Sequence, residues 1–282
     1  MVAATQQKTD TYQFTDRNFN TLREIVSEQT GISLSDHKRD LVYGRLTRRL
    51  RALGLSGFDA YCDLLQNNPG EEMEHFTNAI TTNLTSFFRE RHHFDYLSQE
   101  LIPDLLQQNR LQNLRVWSAG CSTGEEPYSI AITLRESIPN IDNYDVRILA
   151  TDLDTNVVKQ ASSGIYAASR VEGLPKEQLR RWFLKGKGDN AGSVRVNKEL
   201  CDMITFRQLN LMNAWPMQGK FDIIFCRNVV IYFDKPTQAV LFDRFANQIQ
   251  DNSHLFIGHS ENLNKVTDRF SLIGKTIYRK IR

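Results

Sequence analysis

The sequence predicts an α/β protein in which a mostly parallel sheet follows a small all-helical domain. From residue 111 onward, apolar runs of strand length alternate with helical segments, which is typical of βα units. Residues 1–84 show helical spacing of apolar side chains instead. Residues 164–203 are too long for a helix-to-strand connection, which usually takes ~2–6 residues. We expect them to form an inserted helix and a small antiparallel β-subdomain.

The predicted helical domain, residues 1–84, is punctuated by helix start and stop signals. A first helix with apolar residues at helical spacing ends at Gly31. A second begins at a Ser35 or Asp36 cap and ends at Gly54. Two more helical segments flank the break "NNPG". These signals together predict a small all-helical domain over residues 1–84.

Composition excludes several classes of protein. The formal net charge of +2 does not imply nucleic-acid binding. The four cysteines lack C-x-x-C spacing, which argues against a zinc site or a disulfide framework and favours a reducing compartment. The N-terminus is polar, and no stretch approaches the ~20 apolar residues of a membrane span. We therefore expect a cytoplasmic protein without metal.

The rest of the chain has a linker and a larger domain. Residues 85–110 read as an interdomain linker with a helical stretch, and residues 111–282 as the α/β domain. Its predicted strands are "LRVWSA", "VRILATD", "ITFRQLN", "FDIIFC" and "HLFIGHS". The tail "FSLIGKTIYRKI" alternates like one or two closing antiparallel strands, and "GKGDNAG" predicts a glycine-rich turn in the insert.

The stretch "VWSAGCSTGEEPYSI" predicts a ligand-binding turn after the first strand. Gly120 and Gly124 accept positive φ and let a ligand approach the backbone, at the strand end where open α/β sheets bind ligands. The spacing is G-x-x-x-G, not the dinucleotide G-x-G-x-x-G, which argues against a nicotinamide dehydrogenase. Glu125 and Glu126 would oppose a phosphate at the helix N-terminus.

A cationic adenosyl ligand without phosphate fits this turn better, and S-adenosylmethionine meets that description. Asp152, at the end of the second predicted strand, could accept both ribose hydroxyls. Alternatively it caps the next helix, although Asp154 or Thr155 is better placed for that role. Both glutamates could instead complement the helix dipole, and this alternative is stronger for Glu126 than for Glu125.

Several long blocks together resemble the CheR family of chemotaxis receptor methyltransferases. They are "TTNLTSFFRE", "SAGCSTGEEPYSI", "ATDLD", "FDIIFCRNVVIYFD" and "GHSE", in this order, and the resemblance extends from "DHKRDLVYGRLTRRLR" to the end of the chain. It implies a class I, Rossmann-like methyltransferase domain that transfers a methyl group from S-adenosylmethionine to receptor glutamates. The products would be a glutamyl methyl ester and S-adenosylhomocysteine.

The resemblance also implies site residues. The cofactor contacts that it implies are Asn83, Thr85, Arg89, Glu125, Asp152, Asn210, Leu211, Arg227 and Asn228. Taken alone, the asparagines could be turn residues and Leu211 a packing residue. Arg89 is also the candidate to grip the substrate carboxylate, and Tyr232 the candidate to position it or the cofactor. Displacement by an ionised carboxylate needs no proton abstraction, so His92 and His93 are not expected in the chemistry, and His259 stays undecided.

Two features suggest contacts with a receptor, and the first of them makes residues 1–84 the predicted receptor-recognition domain. The second helix carries basic residues outside its apolar side, and acidic receptor bundles would attract them; the residues are Arg45, Arg48, Arg49 and Arg51, of which the resemblance favours Arg45 and Arg51. The turn glycines Gly186, Gly188 and Gly192 resemble the subdomain type that captures a receptor's C-terminal peptide by strand addition. A plain glycine-rich hairpin would look much the same. The sequence shows no long exposed apolar stripe, so we expect a monomer.

Two rival functions remain at this stage. One is a methyltransferase acting on another acidic substrate, on nucleic acid or on a different protein. The other is a cofactor-sensing scaffold that binds receptors without turnover, which the joint presence of Arg89, Glu125, Asp152 and Tyr232 disfavours.

Overall fold

The computed structural model describes residues 12–282. The chain divides into two compact units, the first ending at Thr81 and the second running from Thr82 to Arg282. Within the described residues, no helix combines the length and the apolar character needed to cross a membrane. The domain boundaries expected at residues 84 and 110 stay predictions.

The first unit is built of helices whose ends follow local sequence signals. They are α1 (Asp16–Thr30), α2 (Arg39–Leu53), α3 (Phe58–Asn67) and α4 (Glu72–Ile80). Thr15 caps α1 by accepting from the backbone N–H of Asn18, whose side chain accepts in turn from the backbone N–H of Thr15. α1 and α2 end at Gly31 and Gly54, both in the left-handed region, as predicted.

A buried carboxylate ties three of these helices together. Glu72 of α4 is 7% exposed and accepts hydrogen bonds from Arg49 Nε of α2 (3.0 Å) and Tyr61 Oη of α3 (2.8 Å). Leu46 and Leu50 of α2 are fully buried on the same helix. Burying each such leucine contributes roughly 1.5–3 kcal/mol to the stability of this unit.

The second unit alternates helices with strands. After α5 (His92–Tyr96) come a π-helical turn (Leu97–Leu101) and α6 (Ile102–Gln107). The strands are β1 (Asn113–Ala119), β2 (Asp145–Asp152), β3 (Ile165–Ala167), β4 (Phe183–Lys185), β5 (Ser193–Val196), β6 (Ile204–Gln208), β7 (Phe221–Cys226), β8 (Ile249–Ile257), β9 (Phe270–Gly274) and β10 (Ile277–Lys280). The remaining helices are α7 (Glu125–Ser137), α8 (Thr155–Ser163), α9 (Lys176–Trp182), α10 (Lys198–Cys201) and α11 (Lys235–Gln248).

The large sheet has the order β6-β2-β1-β7-β8-β10-β9. Its first five strands pair in parallel, and β10 pairs antiparallel with β8 and β9. Trp117 in the centre of β1 faces Leu149 of β2 and Ile224 of β7. The predicted mostly parallel sheet with closing antiparallel strands is confirmed. Its carboxyl edge carries the ends of β6, β2, β1 and β7 side by side.

The insert forms the predicted antiparallel subdomain. Its strands have the order β3-β5-β4, with β5 antiparallel to both neighbours. The turn from Gly186 to Gly192 joins β4 to β5, and the N–H of Gly186 donates to the carbonyl of Ser193 at 2.9 Å. Gly188 and Gly192 have φ values of 57° and 86°, which explains why the turn is rich in glycine.

Successive residues of a strand pack into different apolar clusters, one on each face of the sheet. Val116 of β1 belongs to one cluster, with α7 and the 92–107 helical stretch, and Trp117 to the other, with α11. Both side chains are fully buried. Phe94 and Leu97 belong to the first cluster, so the helical stretch of the predicted linker packs into the core of the second unit. This packing fixes the carboxyl edge of the sheet, where the polar residues described next converge.

Candidate cofactor and methyl-transfer site

The loop after β1 has a backbone that requires glycine at both ends. Gly120 and Gly124 have φ values of 105° and 98°. A Cβ on Gly120 would lie 2.3 Å from Val229 Cγ2, and one on Gly124 would lie 2.8 Å from Tyr166 Oη. The N–H of Gly120 donates to the carbonyl of Thr151 at 2.8 Å. The loop therefore has glycines because neighbouring segments approach its backbone closely.

Ser122 connects this loop to two of the predicted cofactor residues. It has a positive φ of 48°, and its N–H donates to Asp152 Oδ2 at 2.8 Å. Its hydroxyl donates to the carbonyl of Asn83 at 3.0 Å. The Asn83 amide in turn donates to Asp154 Oδ2 at 2.8 Å. Asn83, the glycine loop and the end of β2 therefore form one hydrogen-bonded group.

Asp152 is placed as an acceptor and not as a helix cap. Its Oδ1 accepts from the N–H of Asp154 at 3.0 Å. Asp154 is the residue that caps α8, accepting from the backbone N–H of Asn156 at 2.9 Å, as the sequence favoured. Burial raises the pKa of Asp152 to about 6, although the N–H donors of Asp154 and Ser122 act in the opposite direction.

Glu125 begins α7 and is fully buried. Its Oε2 accepts from Thr123 Oγ1 at 2.6 Å, and its Oε1 accepts from Arg170 through Nε at 3.1 Å and through Nη2. Arg170 Nη2 also donates to the carbonyl of Thr85 at 3.0 Å. Sequence reasoning missed Arg170, because it lies in the insert with no local motif that marks it. No signal in the sequence marks the pair, since Arg170 and Glu125 are 45 residues apart along the chain.

Glu126 is a buried partner of Arg227. Its carboxylate accepts from Ser118 Oγ at 2.7 Å and from Arg227 Nη1 at 3.2 Å. Burial raises its pKa, and the charge of Arg227 opposes that rise. The position in the first turn of α7 also suits a carboxylate. Glu126 is therefore held by two side chains of the core, and the helix-dipole role stays an alternative.

Arg227 joins the ends of several segments from within the core. Its side chain is 2% exposed and lies 3.4 Å from Glu90 Oε2, and its Nη2 donates to the carbonyl of Arg89. Its guanidinium carbon is 5.6 Å from the ring centroid of Phe94. Two carboxylates and a carbonyl therefore hold this cation, and its predicted cofactor contact stays a prediction.

Glu90 is the partner of His259, the histidine whose role the sequence left undecided. His259 Nδ1 lies 2.8 Å from Glu90 Oε1, and Asn228 Nδ2 donates to the same oxygen at 3.3 Å. Burial by itself would raise the pKa of Glu90, but His259, Arg227 and Asn228 lower it to about 2. Glu90 is thus an anion that binds the 227–228 segment to the residues after β8.

Glu261 of "GHSE" organises the loop that follows β7. Its carboxylate accepts from the backbone N–H groups of Asn228 (3.0 Å), Val230 (2.9 Å) and Gly258. Asn228 has a positive φ of 58°, and a Cβ on Gly258 would lie 2.4 Å from its Nδ2. The sequence did not predict this role of Glu261, because the backbone N–H groups of Asn228 and Val230 lie 33 and 31 residues away along the chain.

The end of β6 brings Asn210 and Leu211 to the same edge as Asp152. The N–H of Leu209 donates to the carbonyl of Asp152 at 2.9 Å. Asn210 Oδ1 accepts from the N–H of Met212 at 2.9 Å, which makes it a turn residue as well as a candidate contact. The carbonyl of Leu211 accepts from Arg244 of α11 at 2.6 Å. Asn210 and Leu211, both predicted cofactor contacts, are therefore held at the carboxyl edge.

The two predicted catalytic residues are accessible to a substrate. Arg89 is partly exposed, and its Nη1 donates to the carbonyl of Leu84 at 2.8 Å. Tyr232 is partly exposed at the end of the turn Val230–Tyr232. Neither side chain is buried in the core, so each can meet a ligand from solvent. Their roles stay predictions.

Two histidines next to Glu90 form the one metal-compatible group found among residues 12–282. Glu90, His92 and His93 each place a ligand atom within 4.8 Å of the others. The Glu90 carboxylate is already paired with Arg227, whose positive charge opposes a divalent cation there. Burial lowers the pKa of His93 to about 3, with further lowering by Arg227. The expected absence of a metal stays a prediction.

The basic residues of α2 have two different environments. Arg45 Nη1 donates to the carbonyls of Ile80 (2.9 Å) and Ala79 (3.1 Å) at the end of α4, and Arg49 pairs with buried Glu72. Arg48 and Arg51 are exposed. Arg45 and Arg49 therefore stabilise the helical unit, whereas Arg48 and Arg51 are available to a partner. The receptor contacts of all four stay predictions.

The polar groups around the loop suit a cationic adenosyl compound. The glycine loop allows close approach at the backbone, and Asp152 presents a carboxylate beside it. Because Glu125 is paired with Arg170 and Glu126 with Arg227, Asp152 is the acid that chiefly disfavours a diphosphate here. Of the predicted cofactor residues, Asn83, Thr85 and Asp152 share direct contacts with the loop or its neighbours.

Comparison with known proteins supplies two family matches. Residues 83–279 match the family described as CheR methyltransferase, SAM binding domain, and residues 17–81 match CheR methyltransferase, all-alpha domain. Among similar proteins is chemotaxis protein methyltransferase 2 of Pseudomonas aeruginosa, 47% identical over 95% of this chain and 94% of that protein. The chemotaxis protein methyltransferase of Salmonella typhimurium is 44% identical over 96% and 93% of the two chains.

Solved structures resemble this chain more distantly. Magnesium protoporphyrin IX methyltransferase from Synechocystis, solved with bound SAM, has a TM-score of 0.35 and 14% identity, and the match covers 77% of this chain and 91% of that chain. The family matches and the sheet order carry the fold assignment.

Proposed function

Because the chain belongs to the CheR methyltransferase family, whose members use S-adenosylmethionine, we propose that it methylates glutamate side chains of chemoreceptors. The observation that best supports this proposal is the loop from Gly120 to Gly124, hydrogen-bonded through Ser122 to Asp152 at 2.8 Å. It combines close backbone approach with a ribose acceptor and acidic surroundings. The products are a glutamyl methyl ester and S-adenosylhomocysteine.

The proposed cofactor residues are those inferred from the sequence. Asp152 accepts from the ribose hydroxyls, and Asn210 and Leu211 flank the adenine from the end of β6. The segment that contains Asn83 and Thr85 covers the methionyl end, since the carbonyl of Asn83 accepts from Ser122 of the glycine loop and that of Thr85 accepts from Arg170. The other members of the set are Arg89, Glu125, Arg227 and Asn228.

The reaction needs alignment more than acid–base catalysis. When bound, S-adenosylmethionine supplies an electrophilic methyl group on a sulfonium. A glutamate with a pKa near ~4.3 is already ionised, so its oxygen forms the new C–O bond while the C–S bond breaks, and no proton moves. Arg89 orients the carboxylate, and Tyr232 positions it against the methyl group. The site would accelerate the reaction by orienting the two reactants and by excluding water.

Receptor docking is assigned to two surfaces. The exposed arginines Arg48 and Arg51 of α2 attract an acidic receptor helix bundle. The three-stranded subdomain, with the turn glycines Gly186, Gly188 and Gly192, offers an edge to the receptor's C-terminal peptide. The protein acts as a monomer, without metal and without nucleic acid.

Transfer of a radiolabelled methyl group tests the function directly. The protein is incubated with labelled S-adenosylmethionine and the cytoplasmic domain of a candidate receptor, with and without its C-terminal tail. We expect base-labile label on the receptor, and none when the receptor glutamates are replaced by alanine. Base-stable label, or preferential label on RNA or free amino acids, would contradict the proposal.

The raised pKa of Asp152 predicts a pH-dependent affinity for the cofactor. The ionised carboxylate accepts from two hydroxyls, so binding favours the deprotonated form, and affinity should fall as the pH drops through about 6. Calorimetric titration with S-adenosylmethionine from pH 5 to 7 measures this. Asp152→Asn should bind ~10-fold to 100-fold more weakly and lose the dependence. A variant that keeps the same pH profile would show that another group titrates.

Charge reversal on α2 should slow receptor methylation. Arg48→Glu/Arg51→Glu places repulsion where attraction steers encounter, so kcat/KM should fall at low salt and approach wild type as salt screens the charges. Lys159→Glu/Lys265→Glu is the matched control, since both lysines are exposed and the net charge change is the same. Equal effects in the two pairs, or a rate independent of salt, would rule out steering by α2.

A further inference from the structure

Arg170 is a cation beside the loop from Gly120 to Gly124, and the proposed methyl transfer gives it no role. Its side chain is 41% exposed, whereas its partner Glu125 is fully buried. Its Nε and Nη2 donate to Glu125, and Nη2 donates also to the carbonyl of Thr85 at 3.0 Å. Within residues 12–282, Nη1 makes no hydrogen bond. One edge of the guanidinium is therefore committed to the protein and the other is open.

The cofactor carries a group that needs a cation. The methionyl end of S-adenosylmethionine has an α-carboxylate beside its ammonium, and the predicted acidic contacts cannot bind that carboxylate. Of the arginines near the site, Arg227 is buried between Glu90 and Glu126. Arg89 is a proposed cofactor contact, but it is also the residue proposed to orient the substrate carboxylate. Arg170 alone of these three contacts both Thr85 and Glu125, which are assigned to the cofactor.

We propose that Arg170 binds the α-carboxylate of S-adenosylmethionine through Nη1, while its opposite edge holds Glu125 in place. This inference rests on the cofactor assigned under the proposed function. A planar guanidinium has five donors in a fixed fork, so it can serve two carboxylates on different edges. Glu125 stays paired, which avoids a buried charge without a partner.

The placement of Arg170 has a consequence for the insert. The residue follows β3 in the turn Ala168–Arg170, so it belongs to the antiparallel subdomain. Recognition of the cofactor would then depend on a segment outside the parallel sheet. The insert would serve the chemistry as well as any peptide bound at its edge.

Decarboxylated S-adenosylmethionine isolates the contact, because it lacks only the group in question. Calorimetry measures the Kd of both compounds for wild type, Arg170→Met, Arg170→Lys and the control Arg180→Met. Arg180 is an exposed arginine of α9 in the same insert. Arg170→Met should lose ~10-fold to 100-fold in affinity for S-adenosylmethionine and little for the decarboxylated compound. Arg170→Lys should recover part of the loss, and Arg180→Met should match wild type.

Each alternative outcome has a distinct reading. Because both compounds are titrated against the same variant, a merely structural loss would weaken both equally, and that result would overturn the proposal. A preference that disappears in Arg89→Met and persists in Arg170→Met would assign the carboxylate to Arg89 and overturn it as well. Wild-type protein that binds neither compound would contradict the proposed function itself.

Discussion

Replacing Arg89 by alanine should lower kcat for receptor methylation about 100-fold at saturating S-adenosylmethionine, because misalignment of a reacting group costs on that order. The guanidinium fork orients the glutamate carboxylate for in-line attack. The change should leave the fold intact, since Arg227 contacts the backbone carbonyl of Arg89 and the side chain only donates to the carbonyl of Leu84. Initial rates with labelled cofactor measure the effect.

Arg91 provides the matched control for Arg89. Arg91→Ala removes an arginine two positions along the chain, with a side chain 63% exposed, and should keep the wild-type rate. Arg89→Lys keeps the charge and loses the fork, so it should recover little if geometry matters. If the alanine variant loses cofactor affinity while kcat at saturation is unchanged, Arg89 is a cofactor residue and not the substrate grip.

Replacing Arg227 by methionine should lower the free energy of unfolding by about 3–5 kcal/mol at pH 7, the typical cost of breaking a buried pair from one side. The variant leaves Glu90 and Glu126 without the cation that lies 3.4 Å and 3.2 Å from them. Denaturant titration measures the loss. Arg282→Met is the control, because its pair with Asp268 is exposed and is worth at most about 1 kcal/mol.

The pH dependence of this loss follows from Glu90. Its folded pKa of about 2 lies below the usual glutamate value of ~4.3, so its ionisation contributes stability above pH ~4.3 that is lost as the pH falls toward 2. The difference between wild type and Arg227→Met should therefore shrink on acidification. Adding Glu90→Gln and Glu126→Gln should restore part of the stability. A single variant as stable as wild type would show that the buried network contributes little.

Local signals were sufficient for the elements and the position of the loop. The stops at Gly31 and Gly54 agree with the structure because a left-handed residue ends a helix by local geometry. Asp154 caps α8 because its carboxylate needs only the N–H groups two and three positions ahead. The order of strands and glycines likewise placed Gly120 at a strand end beside Asp152.

The wheel of α2 shows where local reasoning stops. It separates an apolar side from basic residues, but it cannot show which basic residues meet another helix. Arg45 reaches the carbonyls at the end of α4, more than 30 residues away, and Arg49 reaches Glu72. Those contacts separate structural arginines from exposed ones. The receptor contacts of all four arginines stay predictions, and the exposed pair Arg48 and Arg51 is the pair chosen for charge reversal.

Neighbouring residues and their periodicity were enough to predict the βα alternation, the helical first unit, the antiparallel insert and the glycine loop with its acids. The partners of those acids could be identified only in the folded chain. Glu125 meets Arg170 of the insert, and Glu126 meets Arg227 after β7. The energy of an ion pair depends on the distance between its charges in space and not on their separation along the chain. These pairs can therefore form only where the sheet has brought the carboxyl ends of its strands together.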